Sequence, residues 1–262
     1  MKGVYVFHGA DRKSGVTMLA QSVAEMIAAE ATEEKILFVS MCGRKNAQYF
    51  REPAESIGFC RSRLESGLPI LRSDIGNTSY LRNLSVLCGI QKESEVRSWM
   101  PDLAGQMLRE FRREFRVVIA DTGSELASGL AVGSLAEADE TYFVLSQNEA
   151  AIHRYEQEMQ VYRDAGIQWN GIVLNQYSEQ DPYTADYIRK RLKADGEKQY
   201  NVRISAHGRR AEMEYKTLAA IGERRVVKDI QRIAWDFMRT AEIVQGEEKR
   251  KRKWKNFVWK SI

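Results

Sequence analysis

Six short apolar runs punctuate the chain, at 4–7, 36–39, 84–88, 117–120, 142–145 and 172–174, and none of them alternates apolar with polar residues. A strand with one wet face alternates, whereas a strand covered on both faces does not, so runs of this kind point to a parallel sheet buried between two layers. In the stretches 18–31, 100–111 and 150–165, apolar residues return every three or four positions, as they do on helices with one buried stripe. Strands and crossover helices in this order predict an α/β fold with a single doubly wound, mostly parallel sheet of about seven or eight strands.

Local punctuation agrees with that reading. Pro101 suits a first helical turn, Gly166 stops a periodic stretch, and Asp181-Pro182 opens a helical segment at 183–192. A last helix is expected over 226–244, packing Ile230, Ile233, Trp235, Phe237 and Ile243 partly against the sheet and partly toward the tail. A chain of 262 residues fits one core of this type, so residues 1–246 are read as one domain and 247–262 as a separate tail.

Several function classes fall away on composition. No run approaches the roughly 18 apolar residues of a membrane span, and the N-terminus starts on a strand instead of a signal peptide, so a cytoplasmic protein is expected. Cys42, Cys60 and Cys88 form an odd set without a C-x-x-C pair, which favours buried reduced thiols over disulfides or a zinc site. His8, His153 and His207 are scattered and suggest no catalytic grouping.

The first strand runs directly into Gly9-Ala10-Asp11-Arg12-Lys13-Ser14-Gly15-Val16-Thr17 and then into a helix. A tight loop in that context turns backbone N–H groups toward a phosphate and sets it on a helix N-terminus, where the macrodipole favours negative charge. Gly15 lets the backbone approach closely, and Thr17 offers a hydroxyl to Mg²⁺. Val16 stands where Gly-x-x-x-x-Gly-Lys-Ser/Thr requires lysine, so the loop alone is a weak match. About a hundred residues later Val117-Val118-Ile119-Ala120-Asp121-Thr122 supplies a buried strand ending in an acid, the Walker B pattern that would set Asp121 beside the same ion.

On these residues the segment 1 to about 225 resembles the MinD/ParA group of P-loop ATPases, including pilus-localisation proteins of the CpaE/TadZ type. The stretch Ala138-Asp139-Glu140-Thr141-Tyr142-Phe143-Val144-Leu145, and after it Gly171-Ile172-Val173-Leu174-Asn175-Gln176, resembles two further strands of that family. The second of these ends in a base-facing Asn, a role the resemblance assigns to Asn175. Residues 204–222 resemble, more loosely, the segment before the family's last helix.

The resemblance implies ATP and Mg²⁺ as ligands, held by Gly9, Arg12, Lys13, Ser14, Gly15, Val16, Thr17 and Asn175, with Thr17 and Asp121 at the metal. It also implies a homodimer and a protein partner whose identity the sequence does not give. The departures are equally definite. The family's loop reads Lys-Gly-Gly-Val-Gly-Lys-Thr-Thr; here Asp11 and Val16 occupy the two lysine positions. Ser40-Met41-Cys42 stands where the second strand usually ends in Asp-x-Asp.

A unit charge about 4 Å from a phosphate oxygen is worth roughly 4 kcal/mol at an effective dielectric near 20, and phosphoryl transfer depends on such charges. Arg12 and Lys13 could fold back onto the phosphates and recover some binding. The expectation is therefore an ATP-binding spatial or assembly regulator with weak or absent hydrolysis, associated with a pilus or secretion apparatus at the inner face of the membrane. The alternative is a nucleotide-free scaffold or dimerisation module. An ATP-dependent ligase or a DNA-partitioning ATPase fits less well, for want of the lysine and of a basic body.

Net charge is +4, yet residues 249–262 carry seven Lys or Arg and no acid, leaving 33 basic against 36 acidic residues before them. On a helix Trp254, Phe257, Val258 and Ile262 share a face, with Trp259 off the stripe, as in the amphipathic segment that MinD-like proteins carry at this end. Lys253, Trp254, Phe257, Val258 and Trp259 are thus candidates for contact with an anionic membrane. Seven cations at about 1 kcal/mol each give roughly 7 kcal/mol, a dissociation constant near 10 μM. A basic tail that binds nucleic acid without specificity remains the alternative; specific DNA binding is not expected of the acidic body.

Overall fold

The computed structural model describes residues 2–44, 49–52, 54–194 and 196–244. In chain order the elements are β1 (Gly3–Gly9), α1 (Val16–Glu30), β2 (Ile36–Ser40), α2 (Ile57–Glu65), α3 (Arg72–Ile75), β3 (Leu84–Leu87), α4 (Pro101–Glu114), β4 (Val117–Asp121), α5 (Gly129–Glu137) and β5 (Glu140–Leu145). There follow α6 (Glu149–Asp164), β6 (Gly171–Tyr177), α7 (Ala185–Leu192), β7 (Lys198–Arg203), α8 (Gly208–Glu214), α9 (Leu218–Ile221) and α10 (Arg224–Thr240). The seven strands form one sheet in the order β3-β2-β4-β1-β5-β6-β7, and every pairing is parallel.

Two cores explain the unalternating runs. Val4, Val6, Leu37, Val39, Val118, Ala120, Phe143 and Leu145 point to one face, where they meet Leu108 and Phe111 of α4, Tyr155 of α6 and Ile188 of α7. Their neighbours Tyr5, Phe7, Ile36, Phe38, Val117, Ile119, Tyr142 and Val144 point to the other, against α1 and Ile230, Ile233 and Phe237 of α10. Because successive side chains alternate between faces and each face is covered, both sets must be apolar. Tyr5 marks the second interface well: its ring stacks on Phe237 at 4.2 Å and its hydroxyl donates to the Phe237 carbonyl at 3.0 Å.

Punctuation is as expected at Pro101, at the start of α4, and at Gly166, which follows α6 with φ of 73°. Thr184, not Pro182, opens α7, its side chain accepting from Tyr187 N. The last helix ends at Thr240, before the predicted 244, and Trp235 and Ile243 are only partly buried. The apolar runs do not reveal β7: only Tyr200 and Val202 of this edge strand are buried, so its pattern is that of a one-sided strand.

β1 lies between β4 and β5, and its carboxyl end feeds the loop to α1. The carboxyl ends of parallel strands, where chain order reverses across the sheet, are where α/β folds bind ligands.

Candidate nucleotide site

The loop from β1 to α1 owes its shape to two glycines and to the end of β6. A Cβ on Gly9 would lie 2.5 Å from Ser14 Oγ and 3.4 Å from the Gly123 carbonyl, so the loop folds back closely over the strand end. Gly15 sits at the N-cap of α1 with φ of 77°, a left-handed conformation that side chains resist, and a Cβ there would lie 2.5 Å from Asn175 Nδ2. That amide donates to the Ser14 carbonyl at 2.7 Å, and Gln176 Nε2 donates to the Lys13 carbonyl at 3.2 Å. Lys13 and Gln176 both have positive φ, so each side of this contact is bent to meet the other. The irregularity in the β6–β7 register falls at the same place, between Asn175 and Tyr177.

Behind the loop, Thr17 Oγ1 donates to Asp121 Oδ2 at 2.6 Å, while Asp121 Oδ1 accepts from Gly123 N at 2.9 Å. Asp121 is fully buried, and burial pushes its carboxyl above the usual range against the pull of those two bonds. No side chain caps α1, and among the described residues the N–H groups of Val16, Thr17 and Met18 have no backbone acceptor. Ser14 is 2% exposed, and its hydroxyl has no partner among the described residues. A hydroxyl and a carboxylate are the hard oxygen ligands Mg²⁺ prefers, and unpaired donors at a helix N-terminus suit phosphate. The residues present therefore fit a nucleotide's phosphates and their cation.

The catalytic charges are another matter. Val16 is 7% exposed, and its Cγ1 lies 3.3 Å from a Cβ built on Gly9, so an apolar side chain fills the space beside the loop. Asp11 pairs with Arg154 of α6 at 3.6 Å. Arg12 pairs with Glu125 at 2.7 Å, and Arg44 reaches the same carboxylate oxygen at 3.2 Å. The Arg12 hydrogen bond, together with both guanidinium charges, holds Glu125 below the usual carboxylate range. At the end of β2, Ser40 Oγ and Cys42 Sγ lie 3.1 Å apart, so a hydroxyl and a thiol, and no carboxylate, stand at this strand end.

No protein-family model and no curated protein matches the chain. Solved structures do match its fold. A ParA family ATPase from Chlorobium tepidum superposes with a TM-score of 0.77 at 14% identity, over 89% of this chain and 98% of that one. MinD from Pyrococcus horikoshii, solved with Mg-ADP, gives 0.74 at 14% identity over 93% and 98%, and MinD from Pyrococcus furiosus 0.73 at 15% over 92% and 100%. The chain has the MinD/ParA fold.

Within that MinD/ParA fold the structure brings Gly9, Ser14, Gly15, Val16, Thr17, Asp121 and Asn175 together, and sets Arg12 on Glu125. Lys13 enters this group through its backbone carbonyl. Gln176, Glu125 and Arg44 also enter the site, and none of them stands out in the sequence as a site residue. Gln176 adjoins Asn175 and so carried a signal of position; Glu125 and Arg44 lie in segments without periodicity and carried none. His8 is a core residue: Thr122 donates its hydroxyl to the Phe7 carbonyl and so accepts from His8 Nδ1 at 2.8 Å. The ring lies among Phe143, Tyr162 and Trp169, where burial lowers its pKa to about 3. Cys42 and Cys60 are buried, Cys88 is half-buried, and none is in a disulfide. Lys253, Trp254, Phe257, Val258 and Trp259 lie outside the described residues, among which no helix is long and apolar enough to cross a membrane.

Proposed function

We propose that this chain binds ATP·Mg²⁺ with little or no hydrolysis and works as a positional or assembly regulator. The observation that carries the reading is the Thr17–Asp121 pair beside the uncapped N-terminus of α1, coupled with a loop that has Asp11 and Val16 at the two positions where the resemblance calls for lysine. In this reading the N–H groups at the start of α1 and the Ser14 hydroxyl take phosphate oxygens, Thr17 and Asp121 hold the cation, and Asn175 contacts the base. Bound Mg²⁺ would neutralise phosphate charge. Without cations at positions 11 and 16 to follow the charge that develops in phosphoryl transfer, and without an acid after β2 to position the attacking water, the bound state persists instead of turning over.

Such a protein transmits its state through partners. A second copy of the chain and a separate protein are the partners of this reading, and MinD of Aquifex aeolicus has been solved in complex with MinC. The tail, 247–262, is the candidate for contact with an anionic membrane at a pilus or secretion apparatus. Co-sedimentation with anionic and neutral vesicles, with and without residues 249–262, tests it: binding to anionic vesicles only, lost with the tail, is expected, and equal sedimentation of both forms ends the idea.

Titration calorimetry with ATP·Mg²⁺, paired with a phosphate-release assay, tests the central claim. Binding at about micromolar levels or weaker, without release above background, is expected. The nucleotide-free scaffold is the second reading, favoured by Val16 filling the loop and by Glu125 engaging Arg12; absence of binding at millimolar ATP would select it.

A further inference from the structure

Three loops converge at the carboxyl end of the sheet, and backbone contacts tie them together. Gly9 N donates to the Gly123 carbonyl and Met41 N to the Asp121 carbonyl, both at 2.7 Å, and a Cβ on Gly123 would lie 2.9 Å from Cys42 Cβ. From this rim two guanidinium groups reach one atom: Arg12 Nη2 and Arg44 Nη2 both donate to Glu125 Oε1. The carbonyl of Arg44 is itself hemmed in, since a Cβ on Gly89 would fall 2.3 Å from it. Arg12 belongs to the phosphate loop, and Arg44 follows the strand that ends in Ser40, beside Asp121 in the sheet register.

Resting on the nucleotide reading above, we infer that Arg12 and Arg44 form the receptor for the terminal phosphate of a nucleoside triphosphate, and that Glu125 is the internal anion occupying it in the ligand-free protein. Two guanidiniums meeting on a single carboxylate oxygen make a site for concentrated negative charge, and a phosphoryl group offers more charge and more acceptors than one carboxylate. The internal contact is easily displaced: the side chains of Arg12, Arg44 and Glu125 are 66%, 44% and 56% exposed, and water competes well for ion pairs so placed. The pair supplies, from the rim of the site, positive charge that Asp11 and Val16 no longer supply from the loop. Discrimination between triphosphate and diphosphate then resides in Arg44 and Arg12, and Glu125 sets how much of the binding energy is spent on opening the site.

Calorimetry on the full chain with Mg·ATP and Mg·ADP, for the natural protein and for Arg44→Gln, Arg44→Lys and Glu125→Gln, tests the inference. Arg44→Gln is expected to weaken ATP about tenfold while leaving ADP within about twofold, Arg44→Lys to recover part of the loss, and Glu125→Gln to tighten ATP by about threefold or more without changing ADP. Thermal melting checks that each variant folds. An unchanged ATP/ADP ratio in Arg44→Gln, or weaker ATP binding in Glu125→Gln, overturns the clamp and leaves the nucleotide reading intact. Failure of the natural protein to bind either nucleotide overturns both.

Discussion

The inner and outer halves of the loop between β1 and α1 are held by different forces. Residues 14–17 are fixed by short hydrogen bonds in buried or half-buried surroundings, Ser14 O to Asn175 and Thr17 to Asp121, with Gly15 between them in the left-handed conformation. Residues 11 and 12 are fixed by exposed ion pairs to Arg154 and Glu125. Buried polar contacts are costly to break because the partner is left unsatisfied, whereas exposed ion pairs give way to water or another anion at small cost. The half that shapes a phosphate site is therefore rigid. The half that would supply charge is exchangeable, and evolution of the charges need not have disturbed the shape.

The sharpest way to break that contrast is Gly15→Val. A β-branched side chain at φ of 77°, directed at Asn175 Nδ2, is expected to destabilise the protein by about 3 kcal/mol and abolish nucleotide binding. Urea denaturation measures it, and a loss below about 1 kcal/mol would show that the inner half is not rigid.

The second test concerns α1, the foundation of the inner half. Glu25 is fully buried there, accepting hydrogen bonds from Thr217, Tyr80 and Gln21, and burial raises its pKa from 4.5 to about 7. The folded protein keeps a proton that the unfolded chain releases above pH 4.5, so this contribution is full below that value and is lost as pH rises through about 7. The loss should reach up to about 3 kcal/mol. Thermal melting at stepped pH should show that slope in the natural protein and not in Glu25→Gln. His8 acts in the opposite sense: its pKa is lowered to about 3, so its contribution is present above pH 6.5 and lost as pH falls toward 3. Identical pH profiles for Glu25→Gln and the natural protein would rule out the buried carboxyl as the source.

A smaller effect sharpens the outer half. Val16→Lys restores a cation to the loop and should tighten ATP about tenfold, roughly 1.4 kcal/mol, without restoring turnover while Asp11 and Ser40 remain. Weaker binding than in the natural protein would mean that the loop is not a phosphate pocket. The smallest effect is expected for Arg12→Ala, whose stability in urea should change by no more than about 0.5 kcal/mol because its ion pair is exposed. A loss above about 1 kcal/mol would erase the distinction between the halves.

The layered α/β fold was legible because it rests on local patterns. Each unalternating run, such as 117–120, became a strand with both faces covered, and Pro101 and Gly166 marked boundaries through backbone chemistry that neighbouring residues cannot change. β7 was not legible, because Lys198–Arg203 buries only alternate residues at the sheet edge. The phosphate loop and Asp121 could be paired from their strand contexts although 104 residues separate Thr17 from Asp121. The ion pairs around the loop could not: Arg12, Arg44 and Glu125 meet only because parallel strands β1, β2 and β4 end side by side.

By itself, then, the sequence determined six of the seven strands, that both faces of the sheet are covered, and that Val16 and Asp11 replace lysine in the loop after β1, since periodicity and residue identity are local properties. Tertiary structure decided the order β3-β2-β4-β1-β5-β6-β7, the bond from Asn175 to the loop carbonyl, and the choice of Glu125 as the anion held by Arg12 and Arg44. Those depend on which strand ends become neighbours, and packing of the whole sheet against its two helical layers sets that arrangement.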